Sequence, residues 1–119
     1  MKAKETNMRD FAYRTPRYAV DIPVCFKVQD STIPGRCREI GDGGMKVELN
    51  QRVSTGTCGI LSIRCREIAF DLPVRVAHSE PGFDGLEFQF ESPADRKAVA
   101  RLIACFSDSN GNNRPVLVR

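Results

Sequence analysis

The sequence predicts an all-β domain: a six-stranded antiparallel barrel or sandwich with one C-terminal α-helix packed on it. Three observations carry this expectation. Apolar residues alternate with polar ones along most of six separate runs, the period of half-buried strands. The links between those runs are mostly short and rich in Gly, Pro, Asp and Ser. A single stripe with helical spacing follows the last run. With 119 residues the chain makes one domain, large enough to hide roughly two-thirds of its unfolded surface and fold without staples.

Residues 1–12 read as a flexible basic leader, with Lys2, Lys4 and Arg9 against Glu5 and Asp10 and no periodicity. The folded domain is expected over residues 13–106. Pro16 disfavours helix at Thr15, so the segment Tyr13-Arg14-Thr15-Pro16-Arg17 runs extended into the first strand. In that strand Val20, Ile22, Val24, Phe26 and Val28 alternate with polar or small residues, and Pro23 marks an edge or bulge. Asp30 to Pro34 reads as a turn, and Gly35 to Ile40 as the second strand.

Met45, Val47 and Leu49 mark the third strand. Thr57 to Cys65 is a more uniformly apolar fourth, and Ile68, Phe70, Leu72, Val74 and Val76 mark a long fifth, with a bulge or bend expected at Pro73. Ser79 to Asp84 reads as a turn before a sixth strand whose inward side is Leu86, Phe88 and Phe90. The helix is expected over 93–106: Ser92 is placed to cap it, Pro93 takes its first position and Asp95 its third. Val99, Leu102, Ile103 and Phe106 form its buried stripe. Residues 107–119 turn to Ser, Asn and Gly and read as a loose tail, in which only Val116-Leu117-Val118 is equipped to dock.

Composition excludes several classes of function. Hydrophobic residues make up 41% and charged residues 28%, with no apolar run near the ~20 residues of a membrane span. No apolar h-region marks a secretory signal, so the expected location is cytoplasmic. The five cysteines, Cys25, Cys37, Cys58, Cys65 and Cys105, are odd in number and contain no C-x-x-C pair. That argues against a disulfide framework and a zinc site, and they read as reduced core or near-core residues. His78 is the only histidine; at the outer end of the fifth strand and with no motif that marks a nucleophile or acid as its partner, it reads as surface or structural, and no enzyme is expected. Net charge of +3 does not by itself announce nucleic acid, and no row of exposed aromatics is evident for stacking bases. Arg36, Arg38, Arg64, Arg66 and Arg75 read as the solvated outer face of the sheet.

The stretch with chemical character is Glu39-Ile40-Gly41-Asp42-Gly43-Gly44. Asp-Gly between strands signals a hairpin turn. The same three glycines remove Cβ atoms that would block positive φ or close backbone approach, so the turn can offer bare amides to a ligand. If the arginine segment before the first strand lies at the same end of the barrel, the site gains guanidinium groups. These bind phosphate, pair with guanine O6 and N7, and stack on purines.

The leader YRTPRYAVDIPVCF, the turn REIGDGGMKVEL and the closing GLEFQFESPADRKAVARLIACF together resemble PilZ domains, bacterial receptors for cyclic di-GMP. The resemblance runs from about Tyr13 to Phe106. It implies a six-stranded β-barrel with a C-terminal helix, and cyclic di-GMP held by an R-x-x-x-R leader and a D/N-x-S-x-x-G turn. Carried onto this chain, the ligand-binding set is Tyr13, Arg14, Arg17, Glu39, Gly41, Asp42 and Gly44, with no cofactor and no metal. Arg17 matches the second motif arginine, and Gly44 matches the motif glycine. Tyr13 stands at the first arginine position with Arg14 displaced by one, Glu39 replaces Asp or Asn, and Gly41 replaces the serine. Two functions follow: a cyclic di-GMP effector that signals to an unidentified protein partner, or a degenerate PilZ-fold interaction module that binds partners without the nucleotide.

Overall fold

The computed structural model describes residues 16–107 together with Leu117–Val118, and the fold it shows is a closed six-stranded barrel. The strands are β1 (Arg17–Val28), β2 (Ser31–Gly41), β3 (Gly44–Leu49), β4 (Cys58–Cys65), β5 (Ile68–Glu80) and β6 (Phe83–Phe88). They are followed by α1 (Pro93–Ser107) and a two-residue strand β7 (Leu117–Val118). Every pairing is antiparallel. The sheet runs β2-β3-β6-β5-β4-β1 and closes through β1 against β2, which leaves the barrel with few free edges. β7 lies on the start of β1, opposite Arg17 and Tyr18.

The core is the set that alternation selects: Ile22, Val24 and Phe26 on β1, Met45 and Val47 on β3, Leu61 and Ile63 on β4, Leu72, Val74 and Val76 on β5. Each such side chain, fully buried, contributes about 1.5–3 kcal/mol. Val99 and Leu102 bring the stripe of α1 into the same core, and the helix packs against β1 and β5. Its start is built as the sequence predicts. Ser92 Oγ accepts from the Asp95 amide at 3.4 Å, and Asp95 Oδ2 accepts from the Glu91 amide at 2.8 Å.

Several boundaries differ from the sequence expectation. Ser31 to Pro34 belong to β2, because the β1–β2 turn is only Gln29-Asp30, with Gln29 at φ 54°. Ser79 and Glu80 extend β5, and the turn contracts to Pro81-Gly82 with Gly82 at φ 99°. Phe90 lies past the end of β6; it is half-buried, packs edge-on against Phe88 at 5.7 Å and carries Arg96 on its ring. Pro23 stands where β1 parts from β4, next to a register shift between Ala19 and Ile22. Pro73 sits instead at the end of the β5–β6 ladder, its carbonyl accepting from Gln89, and the bulge in β5 falls between Val76 and His78.

Cys58 is exposed rather than near the core, while Cys37 is fully buried and Cys25, Cys65 and Cys105 are half-buried. Burial pushes the Cys37 thiol from 9.0 up to about 12.

Candidate functional site

The β2–β3 turn is a hairpin in which Asp42 and Gly43 connect paired strands. None of its three glycines has positive φ; what the structure uses is their missing Cβ. A Cβ on Gly44 would run into the carbonyl oxygen of Leu86, where β3 meets β6. One on Gly41 would stand 3.2 Å from the Pro16 carbonyl and 3.6 Å from Arg17 Cγ, so the bare position lets the Arg17 stem lie across the turn.

Gly41 and Gly44 neighbour the inward Ile40 and Met45, and Gly85 on β6 neighbours the inward Leu86. By alternation all three glycines therefore occupy outward positions, on three different strands. Their missing side chains leave a hollow of about 370 Å³ on the outer face, with Asp42 and Gly43 at the turn and Arg17, Arg75, His78 and Glu87 around it. Arg17 reaches this place because it opens β1 directly opposite Gly41.

Of the residues singled out in the sequence, Arg17, Gly41, Asp42 and Gly44 line one hollow. Tyr13 and Arg14 lie outside the described residues. Glu39 does not line the hollow but controls its edge. Its carboxylate, only 16% exposed, lies 3.9 Å from Arg17 Nε and 3.1 Å from Lys46 Nζ, and Lys46 in turn sits 4.4 Å over the Phe83 ring. Cys37 Sγ donates to the Glu39 carbonyl from beneath.

The opposite wall was not legible as a site. Arg75, read as part of a solvated face, pairs with Glu87 across the β5–β6 ladder at 2.8 Å and lines the hollow. His78 lines it too, edge-on to Phe83 at 6.2 Å and 3.9 Å from Glu80. Within the lining, Arg17 and Arg75 are matched by Asp42 and Glu87, so formal charge is balanced with His78 neutral.

Arg36 and Arg38 are engaged elsewhere. Both pair with Asp21, and Arg38 also with Glu48 at 3.2 Å. The Arg36 hydrogen bond holds the exposed Asp21 carboxyl below its usual range. A second concavity of about 650 Å³ crosses β1, β4 and β5, bordered by Pro23, Cys25, Lys27, Ser62, Arg64 and Asp71. Among the described residues no group of three or more His, Cys, Asp and Glu is placed to hold a metal ion, and no helix is long and apolar enough to cross a membrane.

Comparison with known proteins agrees with this architecture. The sequence matches the PilZ domain family model over residues 13–105. Among solved structures the fold is similar to the PilZ domain of CeSA from a cellulose-synthesizing bacterium, with TM-score 0.65 and 19% identity over 73% of this chain and 93% of that one. It is also similar to the PilZ domain of YcgR from Escherichia coli, solved with c-di-GMP, with TM-score 0.69 and 15% identity over 80% of this chain and 91% of that one. No curated protein sequence matches.

Proposed function

The chain belongs to the PilZ domain family, and from that premise we propose that it is a cyclic di-GMP receptor domain whose occupied state is read by a protein partner. One observation carries the reading: Arg17, at the start of β1, and Gly41 to Gly44, in the β2–β3 turn, border one hollow despite their separation in sequence. A guanidinium there serves as donor to a phosphate or to guanine O6 and N7, and the glycine turn lets a ligand approach the backbone closely. The likeness to a domain solved with c-di-GMP supports the choice of ligand.

Because the lining is charge-balanced, attraction for a dianionic ligand has to come from the leader. Arg14, with Lys2, Lys4 and Arg9, supplies it, and Tyr13 adds a ring for stacking. Ligand capture would then change the surface offered to a partner, in a cytoplasmic setting. The function is binding rather than catalysis.

Isothermal titration with cyclic di-GMP tests the reading. Micromolar or tighter binding is expected, weakened about tenfold to a hundredfold in Arg17→Ala. Absence of heat at high ligand concentration sinks it.

A second reading is favoured by Glu39, whose carboxylate already engages Arg17 and Lys46. In it the domain is an interaction module that contacts its partner without nucleotide. Partner binding that persists in both Arg14→Ala and Arg17→Ala supports this alternative.

A further inference from the structure

The wall of the hollow facing Arg17 is built by two devices that none of the motif positions explains. Val74 and Val76 on β5 point into the core, and strict alternation would send His78 after them. The register shift between Val76 and His78 instead makes Ala77 an extra residue, so that His78 pairs with Gly85 and turns outward, onto the same face as Arg75. Gly85 is the second device. A Cβ there would collide with the His78 ring, with Nδ1 at 2.8 Å and Nε2 at 3.0 Å, so the imidazole lies across a position cleared for it. Phe83 fixes the ring from its edge, and Lys46 caps Phe83. Beside it, Arg75 and Glu87 present a guanidinium and a carboxylate held 2.8 Å apart.

We propose that His78, Arg75 and Glu87 form a purine-base subsite selective for guanine. The proposal rests on the receptor reading above and deepens it. An imidazole offers a flat face for stacking on a base. Arg75 donates to guanine O6 and N7, and Glu87 accepts from guanine N1–H and N2–H. Adenine has an amino donor where guanine has O6, and it lacks the N2 amino group, so the same pair rejects it. An exposed Arg–Glu pair is weakly held and opens readily to admit the base edge.

Titrations of the full chain with cyclic di-GMP and cyclic di-AMP, on the wild type and on Arg17→Ala, His78→Ala and Arg75→Ala, test the subsite. All three side chains are well exposed, and thermal melts confirm that each variant is folded. His78→Ala and Arg75→Ala are each expected to weaken cyclic di-GMP binding about tenfold. Arg75→Ala is further expected to cut the preference for cyclic di-GMP over cyclic di-AMP by about tenfold. If the wild type binds, Arg17→Ala binds at least about tenfold more weakly, and both wall variants stay within about twofold of wild type, the subsite is overturned and the receptor reading stands. A wild type that binds neither dinucleotide overturns both.

Discussion

Of two concavities compared on the outer face of this barrel, the smaller is the better candidate site. The groove across β1, β4 and β5 is about 650 Å³ against about 370 Å³ for the hollow over the glycines. The groove keeps its outward side chains, and within it Ser62 Oγ donates to Asp71 at 2.7 Å. In the hollow three outward glycines carry no side chain, the Arg17 stem and the His78 ring lie over Gly41 and Gly85, and the Arg17 and Arg75 guanidinium groups stand on facing walls. The difference teaches that missing side chains and converging donors, rather than volume, single out a candidate site.

The strongest attempt to break this contrast is Gly44→Ala. Its Cβ would run into the Leu86 carbonyl, so a loss of about 1–3 kcal/mol in denaturant unfolding is expected, together with loss of cyclic di-GMP binding. Gly43→Ala, where a Cβ meets nothing within 4 Å, is the matched control and should leave the melting midpoint nearly unchanged. Equal effects at the two positions would remove close backbone approach as the reason for Gly44. Arg17→Ala comes next and should touch binding alone, since its side chain is 41% exposed and its ion pair with Glu39 is long.

The buried Cys37 sharpens the contrast at high pH. Cys37 lies beneath Glu39 at the edge of the hollow, and burial holds its thiol protonated up to about 12. The unfolded thiol gives up its proton earlier, near 9.0, so above that value the unfolded state binds fewer protons than the folded one. Stability is therefore full below pH 9 and falls as pH rises toward 12. Chemical denaturation across that range should show a shallower decline in Cys37→Ala; parallel curves would exclude Cys37 as the cause. The smallest effect is expected in the groove: Lys27→Ala and Arg64→Ala should leave cyclic di-GMP affinity within about twofold. A tenfold loss in either would move the site to the larger concavity.

Six strands and the capped helix were legible because alternation and capping are local signals. Val20 to Val28 show the period of 2 directly, and Ser92-Pro93-Ala94-Asp95 spells a helix start. Half of the candidate site was legible for the same reason: Arg17 and the glycine turn carry unusual residues in short patterns. Arg75, His78 and Gly85 carried no such mark. Arg75 is one of several arginines on outward strand positions, and His78 sits where simple alternation points it inward. The only signal that could have found them is Gly85, a glycine inside a strand of alternating pattern.

From its letters alone this chain determined its strand and helix content, its hydrophobic core and the family to which it belongs. Only the folded barrel decided that Arg17 stands opposite Gly41 and that His78 turns out to meet Gly85. The reason is physical: side-chain alternation is a property of one strand, whereas register and bulges are properties of a strand pair. A single inserted residue such as Ala77 reverses every side chain beyond it.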